Sequence, residues 1–171
     1  MGVIAELGYA MRPPNALQRA NQKMASSRAG SWLFQRTLYA VDRPLFKLTK
    51  GRVTAPGVLA GLPVVMLTTV GAKSGRDRTM PLVGIPLGDD LAVIGTNYGQ
   101  QHTPGWVYNL RADPEARVAY RARSVAVTAR RATAAEAERA FEVGGGFYGG
   151  FPKYRRRAAH REIEVFVLEP R

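Results

Sequence analysis

Apolar positions follow two different periods along this chain. Between residues 15 and 47 the spacing is helical. Asn15 is a favoured cap for a helix over 16–28, where Ala, Leu, Gln, Arg and Lys are good helix formers. Ser31 can cap a second helix, in which Phe34, Leu38, Val41 and Leu45 recur at intervals of four, three and four. Pro44 predicts a break near that point. After Gly51 the apolar runs shorten, and the pattern predicts strands near 63–70, 78–86, 91–96, 116–121, 124–131 and 163–168. Gly88-Asp89-Asp90 and Ala122-Arg123 are hairpin-length connections. Thr103-Pro104 opens a helix that should end before Asp113-Pro114. Thr133 to Glu136 forms a capping box for a helix to about Val143, which Gly144-Gly145-Gly146 should interrupt. Phe147 to Arg157 then reads as partly helical. Antiparallel hairpins interrupted by two or three helices predict a small α+β barrel over 56–171 behind a helical arm over 1–55. Residues 1–14, with Pro13-Pro14 and little periodicity, are expected to be a mobile tail.

Composition narrows the classes. The 171 residues suit one domain with an added arm, and 46% hydrophobic with 22% charged is ordinary globular usage. No apolar run approaches the roughly 18 residues of a membrane span, and the N-terminus lacks the pattern of a secretory signal. The expected location is cytoplasmic. Without cysteine there is no disulfide framework, thiol nucleophile or thiolate metal site, and His102 and His160 alone do not make a typical zinc site. No metal is expected.

The net charge of +12 calls for a partner such as nucleic acid, an anionic bilayer or a polyanionic cofactor, with a solvated Arg-rich surface as the plain alternative. Residues 1–60 hold nine Lys and Arg against two acids, a net +7. No nucleic-acid motif accompanies that charge, so nucleic acid is not the expected partner. The stripe over 34–45 has two readings. It can pack on the protein's own core or a partner subunit, as amphipathic helices usually do. Alternatively, Arg36, Arg43, Lys47, Trp32 and Tyr39 beside it suit contact with an anionic membrane at its inner face.

Chemistry concentrates between Val64 and Trp106. Gly71-Ala72-Lys73-Ser74-Gly75-Arg76-Asp77-Arg78-Thr79-Met80-Pro81 joins two predicted strands and carries two glycines and three cations. Glycine permits the positive φ that turns backbone N–H groups toward an anion, and the cations add charge-assisted bonds. A phosphate cradle is the functional reading, with a solvated hairpin tip as the plain alternative. His102-Thr103-Pro104-Gly105-Trp106 reads as an aromatic wall with a helix N-terminus behind it.

The order of Gly71 to Pro81, Pro104 to Trp106, Asn109 to Pro114, Tyr148 to Tyr154 and Val165 to Pro170 resembles the deazaflavin-dependent nitroreductase family. The resemblance covers about residues 60–171. It implies a split β-barrel and coenzyme F420, a deazaflavin with a phosphate and a polyglutamate tail. By position in the motif, Lys73, Ser74, Gly75 and Arg78 would hold the phosphate side, Thr79 and Pro81 would run beneath the ring, and Trp106 would pack near it. Pro104 belongs to the same Pro-x-Trp motif. Relatives carry a lysine after a serine where this chain has Thr96-Asn97, and Ala72 stands where they tend to have arginine.

The resemblance also implies two-electron reduction of a quinone, an activated alkene such as an enone, or a nitro compound. Tyr148, Phe151 and Tyr154 map to the residues that cover the ring, and their helical spacing equally suits core packing. Tyr148, Tyr154 and Tyr98, in that order, are candidates to polarise the acceptor and supply a proton. Two alternatives stand beside this reading: an FMN enzyme on the same barrel, and a lipid or fatty-acid carrier of the same fold. The oligomer is expected to be a monomer or homodimer.

Overall fold

The computed structural model of the protein describes residues 2–11, 14–27 and 61–171. The helix expected over 31–47 and its break at Pro44 lie outside the described residues. Seven strands form one antiparallel sheet: β1 (Val64–Val70), β2 (Asp77–Val83), β3 (Ile85–Leu87), β4 (Asp90–Ile94), β5 (Glu115–Tyr120), β6 (Arg123–Arg131) and β7 (Val165–Pro170). Their order is β2-β1-β5-β6-β7-β4-β3. The two strands at the margins, β2 and β3, are consecutive in the chain and separated only by Gly84. A sheet whose margins are joined by one residue must curl, and this one makes the half-barrel of a split β-barrel. The single strand expected over 78–86 is therefore two, turned at Gly84.

Strand alternation sorts the core into two parts. Val65 and Leu67 on β1, Val118 on β5, Val127 on β6, Leu91 and Val93 on β4, and Phe166 and Leu168 on β7 fill the barrel interior. Helices α1 (Val3–Leu7) and α3 (Gly105–Ala112) contribute Val3, Leu7, Trp106, Val107 and Leu110 to that interior. On the opposite face Ile85, Ala92, Ile94 and Val165 pack against α4 (Ala134–Phe147) and α5 (Gly150–Arg157) through Ala140, Phe141, Phe151 and Tyr154. Each fully buried aliphatic side chain stabilises by roughly 1.5–3 kcal/mol.

Two expectations are corrected here. Residues 2–11 are not a mobile tail: Val3, Leu7 and Tyr9 are buried, and the Tyr9 hydroxyl donates to the Gly84 carbonyl at 2.6 Å. Five residues are too short to show an amphipathic period, so the sequence pattern concealed α1. The three glycines do not interrupt α4, which runs through them to Phe147. Gly144 is buried where an added Cβ would sit 3.0 Å from Phe151 and 3.1 Å from Ile85. Close packing, not a chain break, is what the glycine serves. Helix α2 (Ala16–Ala25) begins at the expected Asn15 cap, whose side chain accepts from the Gln18 amide.

Candidate functional site

The β1–β2 connection is a tight turn. Ser74 and Gly75 both donate their amides to the Gly71 carbonyl, and Gly71 donates to Arg76. Gly75 takes φ +62°, and the Arg76 amide meets Ser74 Oγ at 3.4 Å. The backbone donors expected to face an anion are thus largely spent inside the turn, because only one residue has the positive φ that a run of converging N–H groups needs. The cations are different. Lys73, Arg76 and Arg78 are exposed, and none pairs with a carboxylate among the described residues. Anion binding at this loop is a property of side chains.

Asn109 on α3 fixes where the loop stands. Its Oδ1 accepts from the Ala72 amide at 3.0 Å, and its Nδ2 donates to Thr69 Oγ1 at 2.9 Å, Thr69 being buried on β1. One amide thereby ties helix, strand and loop together. No site role for Asn109 was read from the sequence; its signal was the Asn-Leu-Arg-Ala-Asp-Pro run. Past the turn, Thr79 pairs in register with Thr68, and their hydroxyls are 2.9 Å apart. Pro81 pairs with Met66 on the same face.

Trp106 lies elsewhere. It is 3% exposed, inside the barrel, with its ring edge-on to Phe166 at 6.0 Å. Where the sequence suggested an aromatic wall, the first helical turn after Pro104 points Trp106 and Val107 inward, into the core. Pro104 itself caps α3, one residue later than the Thr103 cap expected.

The other candidate residues gather where β4 ends. Asn97, Tyr98 and Gly99 all have positive φ, at 46°, 56° and 78°. Two of the three carry a Cβ, and such residues each cost on the order of 1–3 kcal/mol. Neighbouring groups hold them there. Arg161 donates to the carbonyls of Gly95, Thr96 and Gln100, and the Asn97 amide donates to the His102 carbonyl at 2.9 Å. Asn97, where relatives carry a cation, therefore serves its own loop. Thr96 is buried.

This turn sets Tyr98 against α5. The Tyr98 and Tyr154 rings are 5.9 Å apart, edge to face. Tyr148 and Tyr154 are buried with their hydroxyls 2.7 Å apart, and Phe151 packs edge-on to Tyr148. Burial, with Tyr154 beside it, pushes the Tyr148 phenol far above its usual range, so it stays protonated. Of the three tyrosines only Tyr98 is partly exposed.

The predicted residues thus form two groups. Lys73, Ser74, Gly75, Arg78, Thr79 and Pro81 belong to the loop and β2; Thr96, Tyr98, Tyr148, Phe151 and Tyr154 cluster about the left-handed turn. Helix α3 touches both, through Asn109 on one side and through Pro104 and Val107, which lie against Gly95, on the other. Among the described residues no cluster of His, Asp or Glu could hold a metal ion.

Residues 44–170 match the family described as F420H(2)-dependent quinone reductase. An F420H(2)-dependent quinone reductase of Mycobacterium tuberculosis is 31% identical over 88 residues, covering 50% of this chain and 57% of that protein. The match thus spans little more than half of that relative's length. Among solved structures, an F420-H2 dependent reductase, FDR-A, is similar with a TM-score of 0.57 at 30% identity, covering 63% of this chain and 94% of the other. Another, described as a domain-swapped dimer, has a TM-score of 0.58 at 28% identity and covers 78% and 99%.

Proposed function

We propose, from the premise that this chain belongs to the F420H(2)-dependent quinone reductase family, that it reduces a quinone by two electrons at the expense of reduced coenzyme F420. The observation that carries the reading is the β1–β2 loop. It presents three exposed cations unpaired with described carboxylates, held at a fixed place by Asn109. That donor set fits a cofactor bearing a phosphate and a glutamate tail. Lys73 and Arg78 would hold the phosphate side, Ser74 and Gly75 shape the turn, and Arg76 would reach the tail. Thr79 and Pro81 form the strand surface beside it.

When bound, the deazaflavin supplies the hydride. The chain's own groups bind, orient and move protons. Tyr98, partly exposed on its strained turn, faces the acceptor and polarises its oxygen, and behind it the Tyr148 and Tyr154 hydroxyls share a hydrogen bond, with the Tyr148 phenol kept protonated by burial. Phe151 keeps water from that pair. A lipid-soluble, menaquinone-type quinone is the favoured acceptor, and enones and nitro compounds are further acceptors of the same chemistry.

The test is titration of the full chain with oxidised F420, followed by polarisation of cofactor fluorescence, with FMN in parallel, and then oxidation of F420H2 by menadione. Saturable F420 binding and quinone-dependent turnover are expected. Binding of FMN alone would move the barrel to flavin chemistry. Binding of neither, with acyl chains copurifying, would replace the reductase by a lipid carrier.

A further inference from the structure

Arg161 lies between α5 and β7, partly buried, and pairs with no carboxylate among the described residues. Burial lowers its guanidinium from the ordinary pKa, against the pull of Tyr108 and Glu164. A charge so desolvated needs compensation, and here main-chain oxygen supplies it. Nε donates to the Gln100 carbonyl at 3.2 Å, and one terminal nitrogen donates to the carbonyls of Gly95 and Thr96 at 3.1 and 2.9 Å. The other meets the Glu162 carbonyl at 3.3 Å.

The three distant acceptors frame one element. Gly95 and Thr96 precede the left-handed turn of Asn97, Tyr98 and Gly99, and Gln100 follows it. One planar group therefore bridges both ends of the turn. Its neighbours in sequence run along the same stretch: the Glu164 carbonyl accepts from the Gly95 amide at 2.8 Å, and His160 Nε2 lies 3.2 Å from the Gln101 carbonyl. Helix α5 closes the other side. A Cβ on Gly99 would stand 2.8 Å from Arg157 Cβ and 3.2 Å from Tyr154 Cα. Left alone, a residue bearing a Cβ abandons positive φ for the ordinary α or β regions. That swing would carry the Tyr98 ring away from Tyr154.

We propose that Arg161 is a positioning residue for the reaction: by bridging the carbonyls of Gly95, Thr96 and Gln100 it holds the turn that aims Tyr98 at the acceptor. The aim rests on the quinone reductase reading; the bridge does not. An arginine is required there. A lysine ammonium keeps the charge and lacks the flat, spread donors that reach both ends of the turn at once. The cations of the β1–β2 loop stand across α3, where Asn109 holds their loop, so cofactor affinity is independent of this bridge.

The experiment compares the full chain with R161K, Y98F and the double variant. Hydrogen exchange over residues 95–102 is followed without cofactor, F420 affinity by polarisation, and kcat and KM with F420H2 and menadione. R161K should speed exchange at the Gly99 and Gln100 amides, which the turn protects by bonds to Thr96 and Asn97, and leave the sheet unchanged. Its kcat should fall on the order of tenfold to a hundredfold, as misplacement of a reacting group does, with F420 affinity unchanged. On the Y98F background the same substitution should cost no more than about twofold, because the two residues act as one unit. Unchanged exchange in the turn would overturn the proposal, as would an undiminished loss of kcat on the Y98F background. So would a Y98F chain with wild-type kcat, which leaves Arg161 nothing to aim. Faster exchange in R161K beside a wild-type chain that turns over no quinone would sink the reductase reading and leave the bridge standing.

Discussion

Asn109 uses both ends of its amide, and that makes it separable from the cations it supports. Asn109→Ala frees the Ala72 amide and Thr69 Oγ1, so the loop keeps its charges and loses its place. F420 dissociation should rise by about five- to tenfold, with roughly 1–2 kcal/mol less stability. Lys73→Ala should raise the same dissociation constant on the order of tenfold to a hundredfold, as loss of a charge-assisted bond does, with unchanged Tm because Lys73 is exposed. Polarisation titration with a thermal melt reads both variants. The cations were legible in the sequence because charge within and just after a glycine-bounded turn needs no tertiary context. The inward turn of Trp106 was not legible, because Pro104 marks where a helix starts and says nothing of which face the residues after it take.

At the scale of elements, helix α4 shows how a cap is also a joint. Glu136 closes the Thr133 capping box and takes both guanidinium nitrogens of Arg130 on β6, while Arg130 Nε donates to Glu169 on β7. The Arg130 hydrogen bonds, with help from the Thr133 amide, hold the Glu136 carboxyl at about 2 against a usual 4.5. A lowered carboxyl contributes stability that is complete above the usual value and is lost as pH falls through the lowered one. Wild-type Tm should therefore decline between about pH 4.5 and pH 2. Glu136→Gln should start lower at neutral pH and show a flatter profile over that window. Strands and helix caps were legible because period and cap chemistry are local. The glycines of α4 were not, since their reason is Phe151 and Ile85, brought close only by the fold.

The whole molecule depends on a corner. Gly84 joins the two margins of the sheet, donates to the Pro63 carbonyl at 3.1 Å and accepts from Tyr9 at 2.6 Å. Tyr9→Phe should cost about 1–2 kcal/mol for the unsatisfied buried carbonyl, and Leu7→Ala about 2–5 kcal/mol for the cavity beneath it. Urea denaturation measures both; a change under 0.5 kcal/mol, about the size of a neutral surface substitution, would mean that α1 is not part of the barrel. The antiparallel barrel was legible from hairpin spacing, whereas α1 is too short to carry a pattern and declares itself only by what it covers.

Helix α1 packs against β4, β6 and β7, so Leu7 shares its interior with Phe166 and Leu168, residues from opposite ends of the described chain. During synthesis the apolar side of α1 emerges long before β7 exists to receive it. Contacts of such sequence separation close late and together. In the sheet β7 lies between β6 and β4. A nascent chain that has made every strand but the last therefore lacks the strand that joins the other two covered by α1, and the seat for Val3 and Leu7 closes only once β7 has been made.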